Sequence, residues 1–319
     1  MSNGVYTYDS FKTLSVSGST QIDLISMNYY VLATTRDLNN QGLSISATTA
    51  VTVSSMAVTC EAGSIKMPFL ISASTVTSMS VAGLQISDCN FSQPISYTQN
   101  LIYYTSVLNV AMQQVLVNNT SIGTSTQSGV GYEHYLFYFY NPITGTVPTS
   151  ISLADWMITN STINFRSAVV EITIRNSLLV GSITVQNVTL SRSALYWYSD
   201  LMSIQMINYP ATSLTATRRT ISISQLQILQ NQLQYECFVL TMQMSLPIAY
   251  ASVETLQAVM QSVTFQDNVI SQSTAIKGEA VLVEITGLLS QNDTLLNSSV
   301  LVESSSTVST LFLFDSELK

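Results

Sequence analysis

Charge is scarce in this chain. Only 9% of its 319 residues are Asp, Glu, Lys or Arg, and the ten Lys and Arg are scattered singly apart from Arg218-Arg219. At a net charge of −8 it lacks the basic footprint of a nucleic-acid binder, so no nucleic-acid partner is expected. Long apolar runs are missing as well. No window reaches the roughly 18 uninterrupted apolar residues of a spanning helix, so the chain is not expected to cross a membrane by one. Hydrophobic residues still make up 46% of the whole, which excludes disorder. Capped helical periodicity is absent too, and the few Pro and Gly sit mostly in connections. Three cysteines, Cys60, Cys89 and Cys237, are too few for a disulfide-framed module. The first residues, MSNGVYTYDSFKTLSV, hold no apolar signal-peptide core.

What is present is Ser, Thr, Asn and Gln alternating with Val, Ile and Leu, which is the period of strands. The stretch Ile183 to Leu195, ITVQNVTLSRSAL, shows the unit: two short period-two runs joined by a bend at Gln186-Asn187. Asn suits that bend because it tolerates a left-handed backbone. The same spacing recurs at Val51-Val53-Met56-Val58, Met79-Val81-Leu84-Ile86, Val110-Met112-Val115-Val117, Ile151-Leu153-Trp156-Ile158, Ile221-Ile223-Leu226-Ile228 and Ala258-Met260-Val263-Phe265. A fifth apolar position follows in six copies, at Phe91, Ile122, Ile163, Leu195, Leu233 and Ile270. Copies begin roughly 28 to 41 residues apart, a period that signals a solenoid or propeller. A second apolar run lies between copies, for example Leu101 to Tyr104, Tyr135 to Phe139 and Val169 to Ile172.

The bends decide between the two architectures. Ser-Ser, Ala-Gly, Gln-Gln, Ala-Asp, Gln-Asn, Ser-Gln and Gln-Ser are poor hairpin turns but workable corners of a coil. A further corner is polar or Cys in every copy, at Cys60, Asp88, Asn119, Asn160, Arg192, Gln230 and Asp267, which predicts an outward polar ladder. The expected fold is therefore all-β, a parallel β-helix of about seven to nine coils forming one domain over 1–319. Residues 1–45 are weakly patterned and 46–319 regular.

The pattern I-x-V-x-N-V-x-L of Ile183 to Leu190, and Val263-Thr264-Phe265-Gln266-Asp267-Asn268, resemble coils of the right-handed parallel β-helix superfamily of pectin-lyase type. Among its members the chain is most similar to repetitive surface and adhesin-like proteins whose coils carry F-x-x-N. The resemblance covers about residues 45–319 and implies a right-handed coil. It implies little about activity, since the superfamily includes lyases, polygalacturonases, tailspikes and adhesins.

The motifs of its enzymes are not found. Polygalacturonase-like chemistry needs Asp residues facing one another across a few ångströms; Asp88 and Asp267 share a ladder position about five coils apart, and Asp155 stands alone. The one histidine, His134, follows Glu133 with no second carboxylate within sequence reach, and a surface or loop position is expected for it. Arg166, Arg175 and Arg192 lack the acidic companions of a Ca²⁺-dependent lyase. No catalytic, metal-binding or cofactor-binding residue is assigned, and no enzyme is expected.

Other features concern the surface. Asn-x-Ser/Thr acceptor sites occur at Asn90, Asn118, Asn119, Asn160, Asn187, Asn292 and Asn297, consistent with an extracellular or cell-surface glycoprotein. Cys60 and Cys89 end the same strand in consecutive coils, one position out of register, and are a candidate disulfide; stacked reduced thiols are the alternative. Tyr135, Tyr138, Tyr140, Tyr196, Trp197 and Tyr198 are candidate sugar-stacking rings, with core filling as the alternative. The expected role is a structural or adhesive module that holds loops such as 123–148 and 196–219 for a partner. The main alternative is a carbohydrate-active enzyme or carbohydrate-binding module on the same scaffold. Ice binding is disfavoured because the Thr residues do not recur in register. Uncapped coil ends predict partners that are other protein chains or copies stacked end to end, with surface glycans as further contacts, and a segment of a longer polypeptide.

Overall fold

The computed structural model describes residues 2–8, 14–18, 20–31, 42–46, 49–62, 69–91, 99–123, 133–141, 149–175, 180–207, 218–234, 237–245, 255–271, 281–287, 294–297, 300–303 and 310–316. Every described element is a strand, and the pairings between the described strands are parallel. The strands fall into three sheets that the chain visits in turn. The long sheet runs through Gln21–Val31, Ala50–Cys60, Ser78–Ser87, Asn109–Asn118, Thr149–Thr159, Val180–Ser191 and Arg218–Leu229 in sequence order. A short sheet stacks Asn90–Phe91, Ser121–Ile122, Thr162–Ile163, Ala194–Tyr196, Gln232–Gln234 and Val269–Ser271. The second sheet includes Gln99–Thr105, His134–Asn141, Ser167–Ile174, Asp200–Ile207 and Phe238–Ser245. Three parallel sheets with this regular stacking are compatible with a β-helix.

The repeat read from the sequence is the register of the long sheet. Val51 pairs with Met79, Val53 with Val81, Met56 with Leu84 and Val58 with Ile86, and the next strands continue those rows. The side chains are buried, Val53, Leu84, Leu153 and Leu190 completely. Each such burial contributes about 1.5–3 kcal/mol. The fifth apolar position is the short sheet itself, where Phe91, Ile122, Ile163, Leu195, Leu233 and Ile270 align. Trp156 fills the core where other copies carry Met, Leu or Val. Its ring lies 4.6 Å from that of Phe137 in the second sheet, and its Nε1 donates to the Met112 carbonyl at 3.2 Å.

The bends are left-handed corners. Ser55, Gln114, Asp155, Asn187, Gln225 and Ser262 all have φ between 53° and 58°, and Gly83 has φ 71°. Asp and Asn adopt this region readily; Ser and Gln do so at a cost of about 1–2 kcal/mol each. Neighbouring strands impose it, because any other φ would break the register above and below. The expected outward corner is also left-handed, with φ of 48° to 58° at Asp88, Asn119, Asn160, Arg192, Gln230 and Asp267. Asn119 Nδ2 donates to Asp88 Oδ1 at 2.7 Å, Asn160 Nδ2 to Asn118 Oδ1 at 3.1 Å and Asn187 Nδ2 to Asp155 Oδ1 at 2.8 Å.

Cys60 departs from that ladder. It is buried rather than outward, since its sulfur bonds to Cys89, with Cα atoms 4.9 Å apart. The position after the outward corner points inward in later repeats as well, at Thr120, Ser161, Ser193, Asn231 and Asn268, all buried. The backbone N–H of the first four is capped from the following repeat: Thr120 N by Ser161 Oγ (3.2 Å), Ser161 N by Ser193 Oγ (3.1 Å), Ser193 N by Asn231 Oδ1 (2.9 Å) and Asn231 N by Asn268 Oδ1 (2.9 Å). This internal polar row was not read from the sequence.

Two further features differ from the expected pattern. Regular pairing begins before residue 45: Ile22, Leu24, Met27 and Tyr29 of Gln21–Val31 align with Val51, Val53, Met56 and Val58 and are buried. The segments expected as presented loops carry strands, His134–Asn141 within 123–148 and Asp200–Ile207 within 196–219. Their remaining parts, 124–132, 142–148 and 208–217, lie outside the described residues.

Candidate functional site

The second sheet has a core face and an outer face; the two-residue period of its strands slips once, at Leu101, Leu136, Val169, Leu201 and Val239, where two consecutive residues are buried. Phe137 and Phe139, and Val170 and Ile172 in the next strand, face the core. On the other face the register builds two rows. One runs Tyr103, Tyr138, Glu171, Ser203, Thr241, and the other Asn100, Tyr135, Ala168, Asp200, Phe238. Ala168 sits between Tyr135 and Asp200 in its row, and its side chain, a single methyl, leaves the face open there. The result is a recess of about 240 Å³ lined by Glu133, Tyr135, Arg166, Ser167, Ala168, Glu171, Tyr198, Asp200, Ser203 and Gln205.

Glu171 is the best-buried acid in it, at 3% exposure. Its Oε1 accepts from Thr173 Oγ1 at 2.9 Å. Burial pushes its carboxyl up to about 7, the Glu133 charge adds to the rise, and hydrogen bonds with Ser203 and Thr173 oppose it. Asp200 lies one strand over and three positions along, which places the two Cα atoms roughly 11 Å apart. Its Oδ2 accepts from Thr241 Oγ1 at 2.8 Å. The Tyr135 hydroxyl donates to Glu133 Oε2, and burial together with the Glu171 and Glu133 charges raises that phenol. Both carboxyl-bearing residues line the recess, which places acid groups on two neighbouring strands within reach of one polar ligand.

His134 is adjacent to Glu133 in sequence but not in space. It is buried, 2% exposed, because the alternation slips between Leu136 and Phe137, so it is not the surface or loop histidine expected. Burial lowers its imidazole to about 4, and the neutral ring lines no part of the recess.

The candidate rings are only partly brought together. Tyr138 stacks on Tyr103 at 5.4 Å and 15° and on Tyr135 at 5.1 Å and 26°, while Tyr140 is tilted 6.0 Å away. Arg175 lies over Tyr140 at 5.5 Å. Ring faces of Tyr103, Tyr138 and Tyr135 are stacked on one another, which makes the cluster a poor flat platform for a pyranose. Tyr135 and Tyr198 line the recess, whereas the Tyr196 hydroxyl donates to Gln232 Oε1 at 2.9 Å and Trp197 occupies a left-handed corner.

Of the acceptor asparagines, Asn119, Asn160 and Asn187 are exposed and Asn90 and Asn118 half-buried. Asn292 lies outside the described residues, as does the side chain of Asn297. Cys237 is a buried thiol, pushed up to about 12 by burial and by the Asp200 charge. Among the described residues no group of three or more His, Cys, Asp or Glu is placed to hold a metal ion, and no helix is long and apolar enough to cross a membrane.

Sequence reasoning missed Glu171 and Asp200. The available signal was a single Glu inside the apolar run Val169-Val170-Glu171-Ile172, a place where charge is costly without a purpose. No protein-family model, no curated protein and no solved structure matches this chain.

Proposed function

We propose that this chain is a right-handed parallel β-helix of about seven to nine coils, a structural or adhesive module of an extracellular or cell-surface protein that acts by contact rather than catalysis. Handedness follows from the rule for parallel crossovers, and the pectin-lyase-like likeness rests on the repeat pattern. One observation carries the reading: Tyr135, Glu171, Ser203 and Asp200 reach the recess from paired strands, not from connections. A face built on laddered strands is preformed, so binding there costs little ordering entropy. The Cys60–Cys89 disulfide supports an oxidising compartment, and exposed Asn119, Asn160 and Asn187 are compatible with glycans.

The test has two parts. Antibody labelling of intact, unpermeabilised cells should detect the chain, and the purified native protein should bind a glycan array through the recess, with Ala168→Leu abolishing the signal. Labelling only after permeabilisation, together with an empty array, would overturn the proposal.

A second reading, a polysaccharide-cleaving enzyme, is favoured by Glu133, Glu171 and Asp200 around one recess with Glu171 held near neutrality. Steady release of reducing ends from a glycan, lost in Glu171→Gln, would establish it over the non-catalytic one.

A further inference from the structure

We propose that the recess on the second sheet binds the ammonium group of an amino sugar. This rests on the reading that the outer face of that sheet is a contact surface, and it adds the class of ligand.

The recess is a cavity with a definite floor. Ala168, 2% exposed, stands in register between Tyr135 and Asp200, and only its small side chain leaves the volume of about 240 Å³ open. That space is smaller than a typical drug-sized site of roughly 300 Å³ or more and suits a single sugar ring.

Its charge is one-sided. Glu133, Glu171 and Asp200 line it against Arg166 alone. The Arg166 guanidinium lies 5.7 Å from the Phe165 ring centroid, and no cation is among the groups that set the ionisation of Glu171. A ligand bearing carboxylates would meet repulsion here, so a uronate chain is disfavoured even though the fold resembles that of uronate-active proteins. A ligand bearing an ammonium relieves the Glu133–Glu171 repulsion.

Its hydrogen bonding is set for a donor. Thr173 and Thr241 already orient one oxygen each of Glu171 and Asp200. An ionised carboxyl has about four acceptor positions, and an ammonium offers three donors and no acceptor. Tyr135 and Tyr198 add rings to the wall, and a cation against a tyrosine ring is attracted by its quadrupole. The Ser167 hydroxyl donates to the Phe165 carbonyl at 3.1 Å and Ser203 hydrogen-bonds Glu171, which leaves their oxygens as acceptors for the hydroxyls of the sugar, beside the amide of Gln205.

Titration calorimetry on the intact chain at pH 7.5 tests this with four probes of equal length: a glucosamine oligomer, its fully N-acetylated counterpart, an oligogalacturonate and oligolysine. The glucosamine oligomer is expected to bind at least tenfold tighter than the other three. Glu171→Gln and Asp200→Asn should each weaken it tenfold or more, with circular dichroism reporting whether they fold. Ala168→Leu, which fills the floor without changing charge, should abolish binding and keeps the test open if the carboxyl variants do not fold. Equal binding of the N-acetylated oligomer, blocked by Ala168→Leu, would overturn ammonium recognition while the contact surface stands. Equal binding of oligolysine would reduce the site to charge attraction and overturn the sugar. Binding of none of the four would overturn both the inference and the contact surface.

Discussion

Asn268 caps Asn231 twice: its Oδ1 accepts from the Asn231 backbone N–H at 2.9 Å and from Asn231 Nδ2 at 3.0 Å, while its own Nδ2 donates to the Ile228 carbonyl at 2.7 Å. Both side chains are 1% exposed. Replacing Asn268 with Ala removes the partner of the buried Asn231 N–H and the amide donor to the Ile228 carbonyl, at about 1–3 kcal/mol for each orphaned group, while Asn231 Nδ2 keeps the Leu190 carbonyl. Asn268→Ala is expected to lower the urea midpoint clearly; an unchanged midpoint would show that water replaces the amide.

The Cys60–Cys89 bond closes a loop between residues 29 apart. Chain-entropy arguments assign such a loop about 3–4 kcal/mol. Paired Cys60→Ser and Cys89→Ser substitution should therefore reduce stability by that order. Labelling of the native chain should modify neither cysteine unless a reductant is present.

Glu171 makes stability depend on pH. Its carboxyl is raised to about 7 in the fold, against about 4.3 when unfolded. Between those values the folded chain holds a proton that the unfolded chain has released. Its contribution is therefore fully present below pH 4.3 and is lost as pH rises through 7, a change of about 3–4 kcal/mol. Glu171→Gln should flatten the stability profile between about pH 4 and pH 7, and a slope that persists in the variant would place its origin elsewhere.

Trp156 ties the long sheet to the second sheet through Phe137. Trp156→Phe keeps most of the apolar contact but drops the hydrogen bond to the Met112 carbonyl. Thermal melts should show a loss of about 1–2 kcal/mol for Phe and about 3–5 kcal/mol for Ala.

Gln114 occupies a left-handed corner at φ 56°, where its side chain is exposed. Gln114→Asn should stabilise by a few tenths to about 1 kcal/mol, because Asn tolerates that backbone better. A destabilised Asn variant would mean that the Gln side chain makes a contact worth more than the strain.

Legibility in the sequence followed the strength of local pattern. Val51, Val53, Met56 and Val58 could be read as strand positions because Ser and Thr alternate with them and the spacing repeats. The copy at Ile22, Leu24, Met27 and Tyr29 was hidden, since the outward apolar Ile25 and Tyr30 blur the alternation. Asp200–Ile207 was hidden in the same way by Leu201, an apolar residue next to Met202 where the alternation of Met202, Ser203, Ile204 and Gln205 calls for a polar one. The recess could not be read at all. Glu133, Glu171 and Asp200 are more than 28 residues apart along the chain and meet only through strand register. Ala168 matters for being small where its neighbours are large, a property with no signature in one strand.

The inward row from Thr120 to Asn268 has a direction, because the N–H of each of its first four members is capped by the repeat that follows it. A whole repeat thus brings its own acceptor for the turn before it and a fresh donor for the turn after. Genetic duplication or loss of one complete unit leaves the row closed, whereas a break within a unit strands a buried amide. Length in such a chain can drift across evolutionary time in quanta of one repeat, with the polar row acting as the reading frame.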